Sequence, residues 1–92
     1  MKTRAHLFIS GYVQGVFFRE TTKHQADELN VKGWVLNRDD GRVEAVFEGE
    51  EQDVKRLVEW CRHGPPRATV TNVDVKWESY VGEFDSFEIP LG

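Results

Sequence analysis

The sequence has a single cysteine and three prolines in 92 residues, and it has no long apolar run. Cys61 cannot form an intramolecular disulfide, so the core must hold the domain together, which fits a reducing cytoplasm. The N-terminal segment starts with basic residues but lacks the apolar stretch of a secretion signal. A membrane span would need about 20 apolar residues. We therefore expect a cytoplasmic protein with no membrane partner.

Basic residues are also few, with 12 Lys and Arg against 16 Asp and Glu, which gives a net charge of −4. This balance disfavours binding to nucleic acid, although it leaves room for a local basic pocket. The three histidines are scattered without metal-ligand spacing, so we predict no metal and no cofactor. The length suits one small domain, residues 1–92, whose core needs no disulfide or metal. We expect this domain to act as a monomer.

A glycine-rich loop lies between a strand pattern and a helix pattern. Glycine lets the backbone turn tightly and aim successive N–H groups at one point. The N-terminus of the following helix adds partial positive charge there. The Arg19 guanidinium can hold two phosphate oxygens at once. The pattern predicts a phosphate-binding loop made of Gln14, Gly15, Val16, Phe17, Phe18 and Arg19.

Taken alone, the same loop is equally compatible with a plain tight turn, because it lacks the Lys-Ser/Thr of a Walker loop. Arg19 would then be a solvated arginine at a helix start, and Asn37 would be a turn residue. Phe17 and Phe18 could form a substrate platform, but we expect at least one of them to fill the core. A second motif is needed to decide between these interpretations.

Hydrophobic periodicity predicts the element order β-α-β-β-α-β. Strands are predicted over 4–11, 34–38, 43–48 and 69–78, and Phe87 with Ile89 can add a short fifth strand. The first helix is predicted over 19–31 and ends at Gly33. The second helix carries an apolar stripe at i, i+3, i+4 and i+7, made of Val54, Leu57, Val58 and Cys61, and it stops at Gly64-Pro65-Pro66.

This order predicts an α+β fold, a ferredoxin-like sandwich in which two helices cover one face of an antiparallel sheet. A helix links the first two strands, so they run parallel and their carboxyl ends lie at the same edge of the sheet. The glycine loop follows the first strand, and Asn37 lies near the end of the second. The topology therefore brings Arg19 and Asn37 to the same edge of the sheet.

The other residues that could have a catalytic or metal-binding role are better explained by structural roles in turns, helix ends or the core. Asp39 and Asp40 precede Gly41 and predict a hairpin turn rather than a metal site. The acidic run 48–53 is predicted to be a solvated helix start. Cys61 is predicted to be a buried core residue, and Trp77 is predicted to follow the core alternation of its strand.

Two motifs together resemble the acylphosphatase family, and the resemblance extends over essentially the whole chain. The family's Gly-x-Val-Gln-Gly-Val-x-Phe-Arg signature matches 11–19 at every defined position, and its second signature matches 33–44. Leu36 replaces the usual basic residue, and Tyr12 stands where arginine is frequent. Neither departure touches Arg19 or Asn37, although both weaken the local positive field.

The resemblance implies an enzyme that hydrolyses the carboxyl-phosphate bond of small acyl phosphates, without a metal, to a carboxylate and phosphate. In the family, the arginine matching Arg19 binds the phosphate together with loop amides, and the asparagine matching Asn37 orients the attacking water. The residue chemistry agrees, because phosphoryl transfer depends mainly on positioning and on neutralising oxygen charge.

The alternative is a non-catalytic anion- or RNA-binding module on the same fold. RNA-recognition domains place aromatic residues on the third strand, whereas residues 42–48 carry acids there. A third interpretation is the acylphosphatase-like module of hydrogenase-maturation proteins, which the short chain disfavours.

Overall fold

The computed structural model describes residues 1–91, which form a single sheet covered by two helices. The elements are β1 (Lys2–Tyr12), α1 (Phe18–Leu29), β2 (Lys32–Asn37), β3 (Val43–Glu50), α2 (Glu51–Cys61), β4 (Thr69–Glu78) and β5 (Phe87–Glu88). The predicted order and the predicted short fifth strand are confirmed. Neither helix of this described part is long and apolar enough to cross a membrane.

The sheet has the strand order β4-β1-β3-β2-β5. β3 is antiparallel to both β1 and β2, so these two strands run in the same direction and end at the same edge, as predicted. β5 departs from the antiparallel expectation, because it pairs in parallel with β2 through Gly33–Phe87 and Trp34–Glu88. After β4 the chain crosses the sheet and forms β5 beside β2. β5 runs in the same direction as β2, so the sheet contains both parallel and antiparallel pairs.

The core lies between the helices and one face of the sheet. Alternate residues of β1, namely Ala5, Leu7 and Ile9, are fully buried there. The apolar stripe of α2 is buried against the same face, as its spacing predicted. It includes Cys61, whose thiol pKa is raised by burial, and this keeps the thiol protonated and unreactive.

The first helix ends earlier than predicted. Asn30, not Gly33, follows its last turn in a left-handed conformation (φ 57°, ψ 37°), and its N–H donates to carbonyls of that turn. Asparagine tolerates this conformation, so the predicted termination by glycine was wrong. Gly33 has another role in β2, because a Cβ there would lie 1.9 Å from the Val46 carbonyl oxygen.

Trp77 lies on the predicted face, since it pairs with Ala5 in the register of β4 with β1. Its predicted burial is nevertheless wrong, because 47% of the residue is exposed. β4 is an edge strand with a neighbour on one side, and none of its residues is fully buried.

Glu48 corrects the prediction of a solvated acidic run. It is 2% exposed and faces away from the helices, where residues 79–86 cross the sheet. Its carboxylate accepts hydrogen bonds from the N–H groups of Val81 (2.8 Å) and Gly82 (3.1 Å) and from Arg4 Nη1 (3.2 Å). Burial alone would raise the pKa of Glu48, but these donors outweigh it and lower the pKa.

We expect Glu48→Gln to lower the free energy of unfolding by roughly 1–3 kcal/mol near neutral pH, because Arg4 and the crossing segment lose a charged acceptor. The folded pKa is lowered, so the stabilisation is complete above the unfolded pKa of about 4.3 and is lost as the pH falls through the folded value. Urea unfolding of both proteins across the acidic range measures this effect.

The difference between wild type and Glu48→Gln should therefore narrow as the pH falls. Glu59→Gln is the matched control, because the Glu59 side chain is 70% exposed. It should change stability by less than about 0.5 kcal/mol. A Glu48→Gln effect that does not depend on pH would contradict the role assigned to the charge.

Candidate active site

A cavity of about 140 Å³ lies at the sheet edge where β1 and β2 end. It is lined by Val13, Gly15, Phe17, Phe18, Arg19, Glu20 and Asn37. Five of the seven predicted site residues thus meet in one place, while Gln14 and Val16 do not line the cavity. A larger groove of about 310 Å³ elsewhere is lined by three acids and two lysines, namely Glu48, Glu50, Asp53, Lys2 and Lys32, and it contains none of the predicted site residues.

The loop after β1 turns through two residues with positive φ. Gly15 has φ 75°, and Phe17, just before α1, has φ 65° and ψ 26°. Within residues 1–91, none of the backbone N–H groups of 14–19 donates to a backbone acceptor. Successive free amides in such a turn form a concave binding site for an anion. The conformation of the loop therefore leaves these N–H groups available as donors.

Two side chains of the loop are packed in the core and hold the loop in position. Val16 and Phe18 are each 2% exposed and belong to the core. The Phe18 ring packs edge-on against Trp60 with centroids 5.7 Å apart, and a Cβ at Gly64 would lie 2.6 Å from this ring. The expectation that one phenylalanine fills the core is confirmed for Phe18. Its burial fixes the start of α1 against the end of α2.

Arg19 is half-buried and unpaired. Three other arginines, Arg4, Arg38 and Arg42, are also half-buried, and each forms ion pairs. Arg19 forms neither an ion pair nor a side-chain hydrogen bond within the part of the chain that the structure describes. A cation in the first turn of a helix is unfavourable to the helix dipole, so a bound anion would relieve it.

Asn37 is the last residue of β2, and its side chain reaches the same cavity. Its Oδ1 atom is buried and has no hydrogen-bond partner among residues 1–91. An unsatisfied buried acceptor costs about 1–3 kcal/mol. Such atoms are uncommon in folded proteins and need an explanation, for which binding of a ligand or water is the simplest here.

Gln14 connects the loop to the hairpin that follows Asn37. Its side-chain Nε2 donates to the carbonyls of Arg38 (2.7 Å) and Arg42 (3.0 Å), which lie on either side of the β2–β3 turn. The Gln14 side chain is therefore used for positioning, and only its backbone N–H remains available in the loop. This contact was missed by the sequence analysis, because no local pattern shows where a side-chain amide turns.

The hairpin has its own charge network. Asp40 accepts hydrogen bonds from Arg42 and Arg38, and the Arg42 contact is the main cause of its lowered pKa. Arg38 also donates to Glu44 (2.9 Å), and both guanidinium groups lie over the Phe8 ring. The prediction that the two aspartates form a turn is supported, and the two arginines of this hairpin are already paired with carboxylates.

Glu20 is a cavity residue that the sequence analysis did not single out. It follows Arg19 directly, and its position in the first turn of α1 is the signal that could have found it. A carboxylate here would repel a bound anion or accept a proton from a reacting water. No group of three His, Cys, Asp or Glu side chains within 1–91 is arranged to hold a metal.

The fold and the cavity define a small α+β domain of the ferredoxin-like class with an unpaired arginine at the ends of two parallel strands. The family model for acylphosphatase matches residues 5–89. An acylphosphatase of Pelotomaculum thermopropionicum is 54% identical over 88 residues, which cover 96% of each chain. The chain belongs to the acylphosphatase family.

Solved structures agree with this assignment. An acylphosphatase from Coxiella burnetii superposes with a TM-score of 0.91 at 40% identity and covers 97% of this chain and 93% of its own. An acylphosphatase from Bacillus subtilis gives 0.93 at 36% identity and covers 99% and 100%. The chain is thus a hydrolase of small acyl phosphates, and the alternative of a binding module is not favoured.

We expect Gln14→Ala to reduce turnover by about tenfold or more, because the loop and the hairpin lose their link and small displacements of reacting groups are costly. The stability loss should be modest, roughly 0.5–1.5 kcal/mol per hydrogen bond, because both carbonyls keep a backbone donor, Gly41 N–H for Arg38 and Arg38 N–H for Arg42. Steady-state kinetics and urea unfolding measure the two effects.

Gln14→Glu is the matched variant, because it keeps the shape and replaces the donor by an acceptor that faces two carbonyls. It should be more damaging than Gln14→Ala. Wild-type turnover in Gln14→Glu would show that the two hydrogen bonds do not position the site.

Proposed function

We propose that this acylphosphatase binds the phosphate group of its substrate through Arg19 and the amides of residues 14–19, and that Asn37 orients the attacking water. The observation that carries the proposal is one small cavity that holds both an unpaired half-buried arginine and a buried amide oxygen without a partner. Neither group has a protein partner among the described residues. Together they are complementary to a phosphate and a water.

Binding would place the phosphate oxygens where their charge is best neutralised. The guanidinium of Arg19 can hold two oxygens at once. The free amides of the loop and the N-terminus of α1 provide further donors. Phosphoryl transfer spreads charge over the three equatorial oxygens, so preorganised donors stabilise the transition state with no covalent partner. The proposed reaction therefore needs no metal.

The water oxygen attacks phosphorus opposite to the bridging oxygen. The bond between phosphorus and the bridging oxygen breaks, and that oxygen leaves with its electron pair as part of the carboxylate. The water oxygen stays on phosphorus. Asn37 can hold the water through an amide acceptor and two donors, but it cannot take up a proton.

The proton of the attacking water needs an acceptor, and the phosphate itself is the simplest one. A carboxylate is a good leaving group, so no protein general acid is required. Glu20 is the one carboxylate among the cavity-lining residues. Its charge opposes an incoming dianion, and we propose that it is not the base.

We also propose that residues 1–92 act as a single monomeric domain in the cytoplasm and bind no nucleic acid. The net charge of −4 and the buried, reduced Cys61 support this. The outward face of β3, which carries the acids Glu44 and Glu48, lacks a row of stacking rings.

We expect Arg19→Ala and Asn37→Ala each to lower kcat/KM for benzoyl phosphate by about 10²–10³-fold, the range typical for removal of one transition-state donor. The assay contains a chelator, so it also tests metal independence. Asn37→Ala should unfold at the same or a higher urea concentration than wild type, because it removes an unsatisfied buried acceptor.

Arg56→Ala and Asn72→Ala are matched controls, because both residues are exposed and lie away from the cavity. They should keep wild-type kinetics. Folded Arg19→Ala and Asn37→Ala variants with full activity would place the chemistry elsewhere, and a chelator-inactivated wild type would contradict the metal-free reaction.

We expect Glu20→Gln to keep or slightly raise kcat/KM, because it removes a negative charge beside the bound anion. The kcat/KM of wild type should stay flat through the near-neutral region, as expected when the phosphate accepts the proton. A loss of about 10²-fold or more in Glu20→Gln, together with loss of an acidic limb from the pH profile, would instead identify Glu20 as the general base.

A further inference from the structure

Phe17 is the exposed member of the phenylalanine pair and has no structural role that explains it. It is 63% exposed, while the adjacent Phe18 is buried. Among the described residues its ring has no aromatic or cationic partner. Yet it lines the cavity that contains Arg19 and Asn37. A large apolar side chain is thus presented at the mouth of the site.

The backbone at Phe17 is strained and fixed by hydrogen bonds. A phenylalanine with φ 65° and ψ 26° occupies the left-handed region, which is unfavourable for a residue with a Cβ. The Phe17 carbonyl accepts from both the N–H (3.1 Å) and the hydroxyl (2.7 Å) of Thr21, which fix the peptide. Strained residues of this kind concentrate at functional sites.

The size of the cavity limits what can be enclosed. Its volume of about 140 Å³ is below the roughly 300–1,000 Å³ of pockets that enclose a whole ligand. Once the phosphate and the water lie beside Arg19 and Asn37, the acyl group must extend past the rim. Gly15 leaves one side of the loop open, because a Cβ there would meet no atom within 4 Å.

We propose that the Phe17 ring is a contact surface for the acyl group and that it makes the enzyme favour acyl phosphates with an aromatic acyl group over acetyl phosphate. This inference rests on the proposed function, because it uses the phosphate position given there. An aromatic acyl group can stack on the exposed ring and gains apolar contact as it leaves water. An acetyl group is too small to cover the ring. Phe17 is therefore a specificity-determining residue.

The test measures, for each variant, the ratio of kcat/KM for benzoyl phosphate to kcat/KM for acetyl phosphate. The intrinsic reactivities of the two substrates are the same for every variant, so they cancel when the ratios are compared. In Phe17→Ala the benzoyl-to-acetyl ratio should fall about three- to tenfold, which corresponds to the worth of one aromatic pair. Phe17→Leu keeps an apolar side chain without a ring and should give an intermediate ratio. This variant also serves as the test if Phe17→Ala does not fold.

Tyr12→Ala is the matched control. Tyr12 is 64% exposed, much like Phe17, and precedes the same loop, but it does not line the cavity. Its removal should leave the ratio unchanged. Phe17→Gly removes the ring and also relieves the positive φ, so it should give the same fall in the ratio as Phe17→Ala.

Binding gives a second readout. In benzoylphosphonate and acetylphosphonate, phosphorus is bonded directly to the acyl carbon, so neither is hydrolysed at that bond. Wild type should be inhibited more strongly by the benzoyl compound, and Phe17→Ala should lose most of that preference.

Two outcomes would overturn the proposal. An equal loss for both substrates would mean that the ring only shapes the loop or excludes water, and an unchanged ratio would mean that the acyl group leaves the cavity in another direction. Failure of the proposed function looks different, because folded Arg19→Ala and Asn37→Ala variants would then keep full activity on both acyl phosphates.

Discussion

The two hydrogen bonds from the Gln14 side chain are the contact on which the geometry of the site depends. Arg19 belongs to the first helix and Asn37 to the second strand, and nothing in the local structure of either element fixes the distance between them. The parallel direction of β1 and β2 brings the two residues to one edge. The bonds to the Arg38 and Arg42 carbonyls then fix the loop against the hairpin.

Charge is distributed so that, in a protein with a net charge of −4, the arginine at the cavity is not paired with any acid of residues 1–91. Arg4 is surrounded by three glutamates on the face opposite the helices, and Arg38 and Arg42 are neutralised by Asp40 and Glu44. Among the described residues, the half-buried arginine at the cavity has no such partner. Most acids are paired with other cations, and Glu20 is the one carboxylate among the residues that line the cavity.

Much of this could be predicted from the sequence, because the signals are local. The apolar spacing of the strands and of α2 gave the element order, and the order alone implied that Arg19 and Asn37 converge. The burial of Glu48 could not be predicted, because it depends on a segment more than 30 residues away that crosses the sheet. The direction of the Gln14 side chain was missed because it depends on tertiary geometry. The end of α1 at Asn30 was missed because several residue types can adopt the left-handed conformation that ends a helix.

The inner position of β1, between β3 and β4, also affects how the domain folds. β1 pairs with β3 on one side and with β4 on the other, and Arg4 forms ion pairs with Glu78 and Glu83, up to 79 residues later. Contacts this distant in sequence slow folding, because the chain must close long loops before they form. During synthesis, β1 would leave the ribosome before β4 and would keep one of its edges without a partner until β4 had followed. The sheet of this enzyme can therefore be completed on that side of β1 only after β4 has been made.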